Sequence, residues 1–344
     1  MINEKEVNRY LQIVKELQSQ FTLFDMHVHP FEIIFNQFDY HPSHTQEGVN
    51  SISNAFFRPP RPTALGLVSR PIPSAHWRSG ISLLTLRRIY SHTGPKVFSD
   101  HMDLSGIDRI LLLPVASSTG EIDKQMYSMA EMFEDDERFS LGCSVPNTIE
   151  NREICKFIKE KIGQFNIRAI KFHPNITETN LGSKRGKERV ECILDVCREF
   201  RLPLIVHGGR STVLKNPKAA EYGWIEKFKD IDWGISNEVV VIAHAGGYGC
   251  DLNEMKQDVL PKLKSLLSHY NNLMIDISGL EIDALAVILK NIDLERILFG
   301  SDALYDTQWA VLVKLAHAIT SEGMNLAESI VQIASTNPLR SIFR

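Results

Sequence analysis

Five of the twelve histidines in this 344-residue chain stand at the ends of apolar, β-branched runs. The first run closes in Asp25-Met26-His27-Val28-His29. Later runs close in Lys171-Phe172-His173, Val206-His207-Gly208-Gly209 and Ala243-His244-Ala245-Gly246-Gly247, and the last in Phe299-Gly300-Ser301-Asp302. Alternate residues on a strand face the same side, so His27 and His29 can aim two imidazoles at one ion. With His207 and Asp302 arriving from other strands, the set is three imidazole nitrogens and one carboxylate. That borderline-hard N3O set suits Zn(II), and Mn, Fe, Co or Ni through the same ligands. An open position for water or substrate would make it catalytic rather than structural.

The elements that must position these residues are legible as a series. A helical stripe of Val7, Tyr10, Leu11, Val14 and Leu17 occupies residues 4–19, and the run Phe21–His29 follows it. Further runs are Ile107–Val115, Phe139–Val145, Ile167–Phe172, Leu202–Val206, Val239–Ala243, Leu273–Ile277 and Arg296–Phe299. Helical stretches at 122–133, 151–162, 187–200, 252–268 and 282–290 lie between them. Near-continuous apolar strands alternating with amphipathic helices indicate parallel βαβ units. Eight such units predict an α/β fold of the (β/α)8 TIM-barrel type, with chemistry at the C-terminal strand ends. An open doubly wound sheet would favour Gly-x-Gly-x-x-Gly after its first strand. This strand ends in His-Val-His-Pro instead. The expected arrangement is one barrel domain over 1–344 with a long insertion after strand 1, residues 30–105. That insertion holds eight of the fifteen prolines and reads as irregular, with a short helix around Ile81–Tyr90.

Composition narrows the function classes. The chain is 43% hydrophobic and 23% charged, which is ordinary globular usage and excludes a disordered or collagen-like chain. A formal charge of -4 provides no broad cationic field for nucleic acid or an anionic membrane. No apolar run approaches the roughly 18 residues of a membrane span. The N-terminal MINEKEVNRY is charged where a signal peptide needs an apolar core, so a cytoplasmic protein is expected. Five cysteines without a Cys-x-x-Cys pair read as free thiols rather than a disulfide framework or thiolate zinc site.

The ordered set Asp25-Met-His27-Val-His29-Pro, Val-His207-Gly-Gly, Ala-His244-Ala-Gly-Gly and Ile-Leu-Phe-Gly-Ser-Asp302 resembles the amidohydrolase superfamily. The branch it is most similar to is the amidohydrolase-related group that includes aminocarboxymuconate semialdehyde decarboxylase. Asn337-Pro-Leu-Arg-Ser-Ile-Phe343 is similar to the Asn-x-x-Arg-x-Phe ending common there. The resemblance implies one divalent metal ion, zinc foremost with Mn2+ or Fe2+ as alternatives, held by His27, His29, His207 and Asp302. It implies that His244 acts in proton transfer beside the metal-bound water, and that the protein is a homodimer. The chain departs from the pattern after Asp302, where Ala-Leu-Tyr replaces the aromatic and Pro of many relatives. Lys171 and His173 share parity, and some superfamily members bridge two metals with a carboxylated lysine on the fourth strand. Lys171 is therefore either an anion-binding or structural lysine or part of a second metal site.

A divalent metal lowers the pKa of bound water towards about 7. Asp302 and His244 can then move protons, so hydrolysis of an amide, lactone or similar bond in a small polar or carboxylate-bearing substrate is expected. The same parts support non-oxidative decarboxylation of an aromatic or enoic acid. A non-catalytic ligand-binding barrel is the third reading. Residues 30–105 start at the rim of the site and read either as a lid rich in arginine and aromatics or as a surface excursion. Arg210 and Tyr305 are candidate substrate-binding residues beside His207 and Asp302. Asp25 is either a hydrogen-bonding partner behind the ligands or a buried structural carboxylate. The paired glycines after His207 and His244 are expected to let the chain turn tightly at the rim.

Overall fold

The computed structural model describes residues 2–29, 62–68, 95–133, 136–211, 216–303 and 306–343. Eight strands form one sheet: β1 (Phe24–Val28), β2 (Arg109–Leu112), β3 (Phe139–Ser144), β4 (Ile167–Phe172), β5 (Leu204–Val206), β6 (Val240–Ile242), β7 (Leu273–Asp276) and β8 (Ile297–Leu298). Each pairs in parallel with the next, in chain order. The last strand returns to the first. Met26 N–H donates to Phe299 O at 3.0 Å, Asp302 N–H donates to His27 O at 2.8 Å, and Val28 bridges Ala303. Helices fill the connections, so the fold is a nearly closed (β/α)8 barrel. All eight expected strands are present.

Two apolar layers follow from the strand period. Phe24, Met26, Leu111, Leu113, Ala169, Ile205, Val241, Ala243, Met274 and Leu298 point inward and fill the barrel. Phe343 plugs the lower end by stacking on Phe24, with ring centroids 4.6 Å apart. The alternate residues, such as Ile110, Leu112, Ile170 and Phe172, pack outward against the helices. The N-terminal helix Glu4–Gln18 starts at an Asn3 capping box with Glu6 and buries the expected stripe.

The connections differ from expectation in three places. The segment after β5 is built of short 3₁₀ turns at Pro217–Glu221, Ile225–Phe228 and Trp233–Ile235. Pro95–Ser105 is helical although it falls in the stretch read as irregular. Helix Gln308–Ser321 was not anticipated: it is buried on nearly all sides, so it lacks the polar face that marks a surface helix. Most of 30–105, including the expected helix at Ile81–Tyr90, lies outside the described residues. Among the described residues no helix is long and apolar enough to cross a membrane.

The seam between β1 and β8 is fastened by Asp25, which is fully buried. Its carboxylate accepts from Ser301 N–H (2.9 Å), Ser301 Oγ (2.5 Å), Gln308 Nε2 (2.9 Å) and His27 N–H (3.2 Å). Burial pushes its pKa up to about 6, against the pull of the Ser301 and Gln308 hydrogen bonds. The folded state therefore holds a proton more tightly than the unfolded chain, and this group's contribution to stability falls as pH rises through 4 to 6. Between pH 5 and 7 the unfolding free energy of wild type relative to Asp25→Asn should fall by about 1 kcal/mol, read from urea titrations. A flat difference would show that Asp25 titrates normally.

Candidate metal centre

The site sits at the C-terminal ends of the strands, where the backbone is bent to deliver side chains. His244, Ala245 and Gly246 follow β6 in a left-handed turn, with φ of 56°, 49° and 74°. Asp302, after β8, has φ of 60°. Non-glycine residues in this region cost on the order of 1–3 kcal/mol each and persist where surrounding bonds over-determine them. Here His244 N–H donates to Asp276 Oδ1 at 3.0 Å, and Asp302 N–H donates to His27 O at 2.8 Å. Gly300 permits a close approach: a Cβ there would lie 2.8 Å from His27 Cβ.

The outer nitrogens of the imidazoles fix their tautomers. His27 Nδ1–H donates to Asp276 Oδ2 at 2.9 Å, and His29 Nδ1–H donates to Leu113 O at 2.7 Å. His244 Nδ1–H donates to Ser278, whose Oγ is at 2.8 Å and carbonyl at 3.1 Å. His207 Nε2–H donates to Arg210 O at 3.2 Å. Each imidazole therefore turns a lone pair inward. His27 Nε2 faces His29 Nε2 at 2.9 Å, and His244 Nε2 faces His207 Nδ1 at 3.1 Å. Lys171 Nζ donates to His27 Nε2 at 2.7 Å. Asp302 Oδ1 lies 3.4 Å from His29 Nε2 and 3.8 Å from His27 Nε2.

Acceptors that face one another without a shared proton repel, and a cation removes the conflict. Ligand atoms of His27, His244 and Asp302 all lie within 4.8 Å of one another. The donor chemistry thus fits a divalent ion. Burial drives all five imidazoles towards the neutral form that ligates metal, His244 down to about 3. Burial also lowers the Lys171 ammonium to about 8, opposed by Asp276 and Asp302. Burial pushes the Asp302 carboxyl well above the usual range although Lys171 pulls it down. For Asp276, burial acts upward, but His27, His244 and the Ser278 hydrogen bond outweigh it and hold the carboxyl low.

The expected residues fall into groups. His27, His29, His207, His244, Lys171 and Asp302 meet in this one buried cluster. Ligand atoms of His27, His29 and Asp302 lie within 3.8 Å of one another, His27 and Asp302 also converge with His244, and His207 joins through His244. His173 stacks flat on His207, with centroids 3.9 Å apart, and its Nδ1 accepts from Ile176 N–H at 3.4 Å. Arg210 departs from expectation. Its guanidinium is engaged by Glu254 at 2.8 and 2.9 Å and Glu221 at 3.2 Å, and lies over the Trp224 ring, so it is no free anion-binding cation. Asp25 is a structural carboxylate at the seam rather than a partner of the His27 ring. Tyr305 lies outside the described residues. Sequence reading missed Asp276 and Ser278. The signal was present, since a carboxylate that ends an apolar strand of a barrel is a candidate site residue.

A model of the amidohydrolase family matches residues 24–340. The chain belongs to the amidohydrolase family. The family is metal-dependent, and the His-His-Asp group of this chain is a possible metal site. No curated protein matches the sequence of this amidohydrolase. Its barrel is similar to that of 5-carboxyvanillate decarboxylase from Sphingomonas paucimobilis, at TM-score 0.57 and 12% identity over 94% of this chain and 99% of that one. A probable 2-pyrone-4,6-dicarboxylic acid hydrolase from Acinetobacter baumannii matches at TM-score 0.51 and 12% identity, covering 93% and 98%. An amidohydrolase from Burkholderia multivorans with bound zinc matches at TM-score 0.56 and 12% identity, again covering 93% and 98%. At these identities the likeness is one of fold.

Asp276 faces no inward lone pair, yet it orients the His27 ring directly and the His244 ring through the His244 backbone and Ser278. Asp276→Asn should weaken retention of a divalent metal by about ten- to a hundredfold, measured by competition with a chelator. Unchanged retention would mean that the His27 tautomer does not depend on this carboxylate.

Proposed function

We propose that this protein is a metal-dependent hydrolase of a small polar or carboxylate-bearing substrate. The observation that carries the reading is the convergence of four neutral imidazole acceptors with Asp302 and Lys171 in one buried cluster. His27, His29 and Asp302 would hold the ion, with His207 beside them, and zinc is the metal we expect. When bound, the ion supplies Lewis acidity, which polarises a substrate oxygen and makes water more acidic.

The chain's own groups do the rest. Asp302 Oδ1, as a carboxylate, accepts the proton of the attacking water. His244 Nε2 is an acceptor whose opposite nitrogen is anchored by Ser278, so the ring can take up the water proton that Asp302 accepts and pass it to the leaving group without turning. The left-handed backbone at both residues fixes those directions. Lys171 holds positive charge at the barrel axis, where an anionic substrate or developing oxyanion gains most in a water-poor site.

A decarboxylase is the second reading, favoured by one observation. The barrel is similar to that of 5-carboxyvanillate decarboxylase, and His244 or Asp302 would give the proton to the carbon that loses carbon dioxide. A panel of lactones, amides and phenolic and enoic acids, assayed for ring opening, amine release and CO2 with the zinc-loaded protein, separates them. We expect lactone or amide hydrolysis without CO2, reduced at least about a hundredfold by His244→Asn or Asp302→Asn. Release of CO2 from an acid in the panel would replace the hydrolase reading. No turnover of any class would favour a ligand-binding barrel.

A further inference from the structure

Ser144 closes β3 fully buried, and its hydroxyl finds no hydrogen-bond partner among the described residues. Buried polar groups are almost always paired, so a lone hydroxyl calls for an explanation. Its direction follows from the strand. Leu141, Cys143 and Val145 pack on the outer core, which leaves Gly142 and Ser144 facing the barrel axis. In the β3–β4 register Ser144 stands beside Lys171. Lys171 alternates with outward-facing Ile170 and Phe172, so it faces the same way.

Lys171 has a related problem. It donates to His27 Nε2, which carries a single lone pair. That lone pair serves either the ammonium or a metal ion. Once an ion claims it, Lys171 needs a new acceptor, and the Ser144 hydroxyl beside it still has a proton to give. The charge of the cluster changes as well. A divalent cation adds two positive charges beside the Lys171 ammonium in a buried place, which favours an anion there.

We propose that Ser144 and Lys171 together form the subsite that receives a carboxylate of the substrate. The ammonium supplies the charge and the hydroxyl fixes the orientation. This rests on the metal-dependent reading above and narrows its substrate class to anions that reach the β3–β4 side of the mouth.

The test is calorimetric titration of benzoate, with benzamide as neutral isostere, into wild type and Ser144→Ala, each with and without zinc. Metal content is measured in parallel. Zinc-loaded wild type should bind benzoate about tenfold or more tightly than Ser144→Ala does, with equal zinc content and benzamide binding weak in both. Ser144→Ala should melt no lower than wild type, because it removes an unpartnered hydroxyl. Equal benzoate affinity in the two proteins would overturn the subsite and would mean that water satisfies Ser144. So would benzamide binding as well as benzoate. If wild type takes up no zinc, the metal-dependent reading fails separately, and the subsite fails with it if benzoate affinity of the metal-free protein is also indifferent to Ser144.

Discussion

The site depends on one constraint: the outward nitrogen of each imidazole has an acceptor that fixes its proton there. Asp276 does this for His27, the Leu113 carbonyl for His29, Ser278 for His244 and the Arg210 carbonyl for His207. The inward nitrogens are then acceptors, and they meet within hydrogen-bond distance of one another. An arrangement so poor in protons and so dry is costly alone and favourable around a cation. Asp276 has a double part, since the same carboxylate receives the His244 backbone N–H and so helps hold the left-handed turn.

The barrel explains why such distant residues can meet. His27 and Asp276 are 249 positions apart in the chain. Parallel strands of eight consecutive units bring all their C-terminal ends to one rim. The interior below is packed with Phe24, Met26, Leu111, Leu113 and their neighbours, so the polar cluster has a rigid apolar floor. Asp25 and Ser301 close the ring at the β1–β8 seam, which sets His27 and Asp302 side by side. The structural carboxylate Asp25 and the site carboxylate Asp302 are thus neighbours in space but separate in role.

Much of this was legible in the sequence because it rests on periods and positions. The strand period of two selects His27 with His29, and the end of an apolar run marks His207, His244 and Asp302. What stayed hidden depends on partners. Asp276 closes the strand within the apolar run Leu273–Ile277, but only the pairing of β7 with β6 and β8 in the barrel places it behind the His27 ring and the His244 backbone. Arg210 has the right charge and place for an anion, but Glu221 and Glu254 engage it across 11 and 44 residues of chain, pairings no local pattern announces. The helix Gln308–Ser321 escaped because burial on nearly every side erases helical periodicity.

Elemental analysis of the purified protein, beside His27→Ala, tests the account most directly. The inward lone pairs and Asp302 predict about one equivalent of a divalent transition metal, zinc foremost, that is lost in the variant while its fold persists by circular dichroism. A wild-type protein that carries no such metal and takes none up on reconstitution would contradict it.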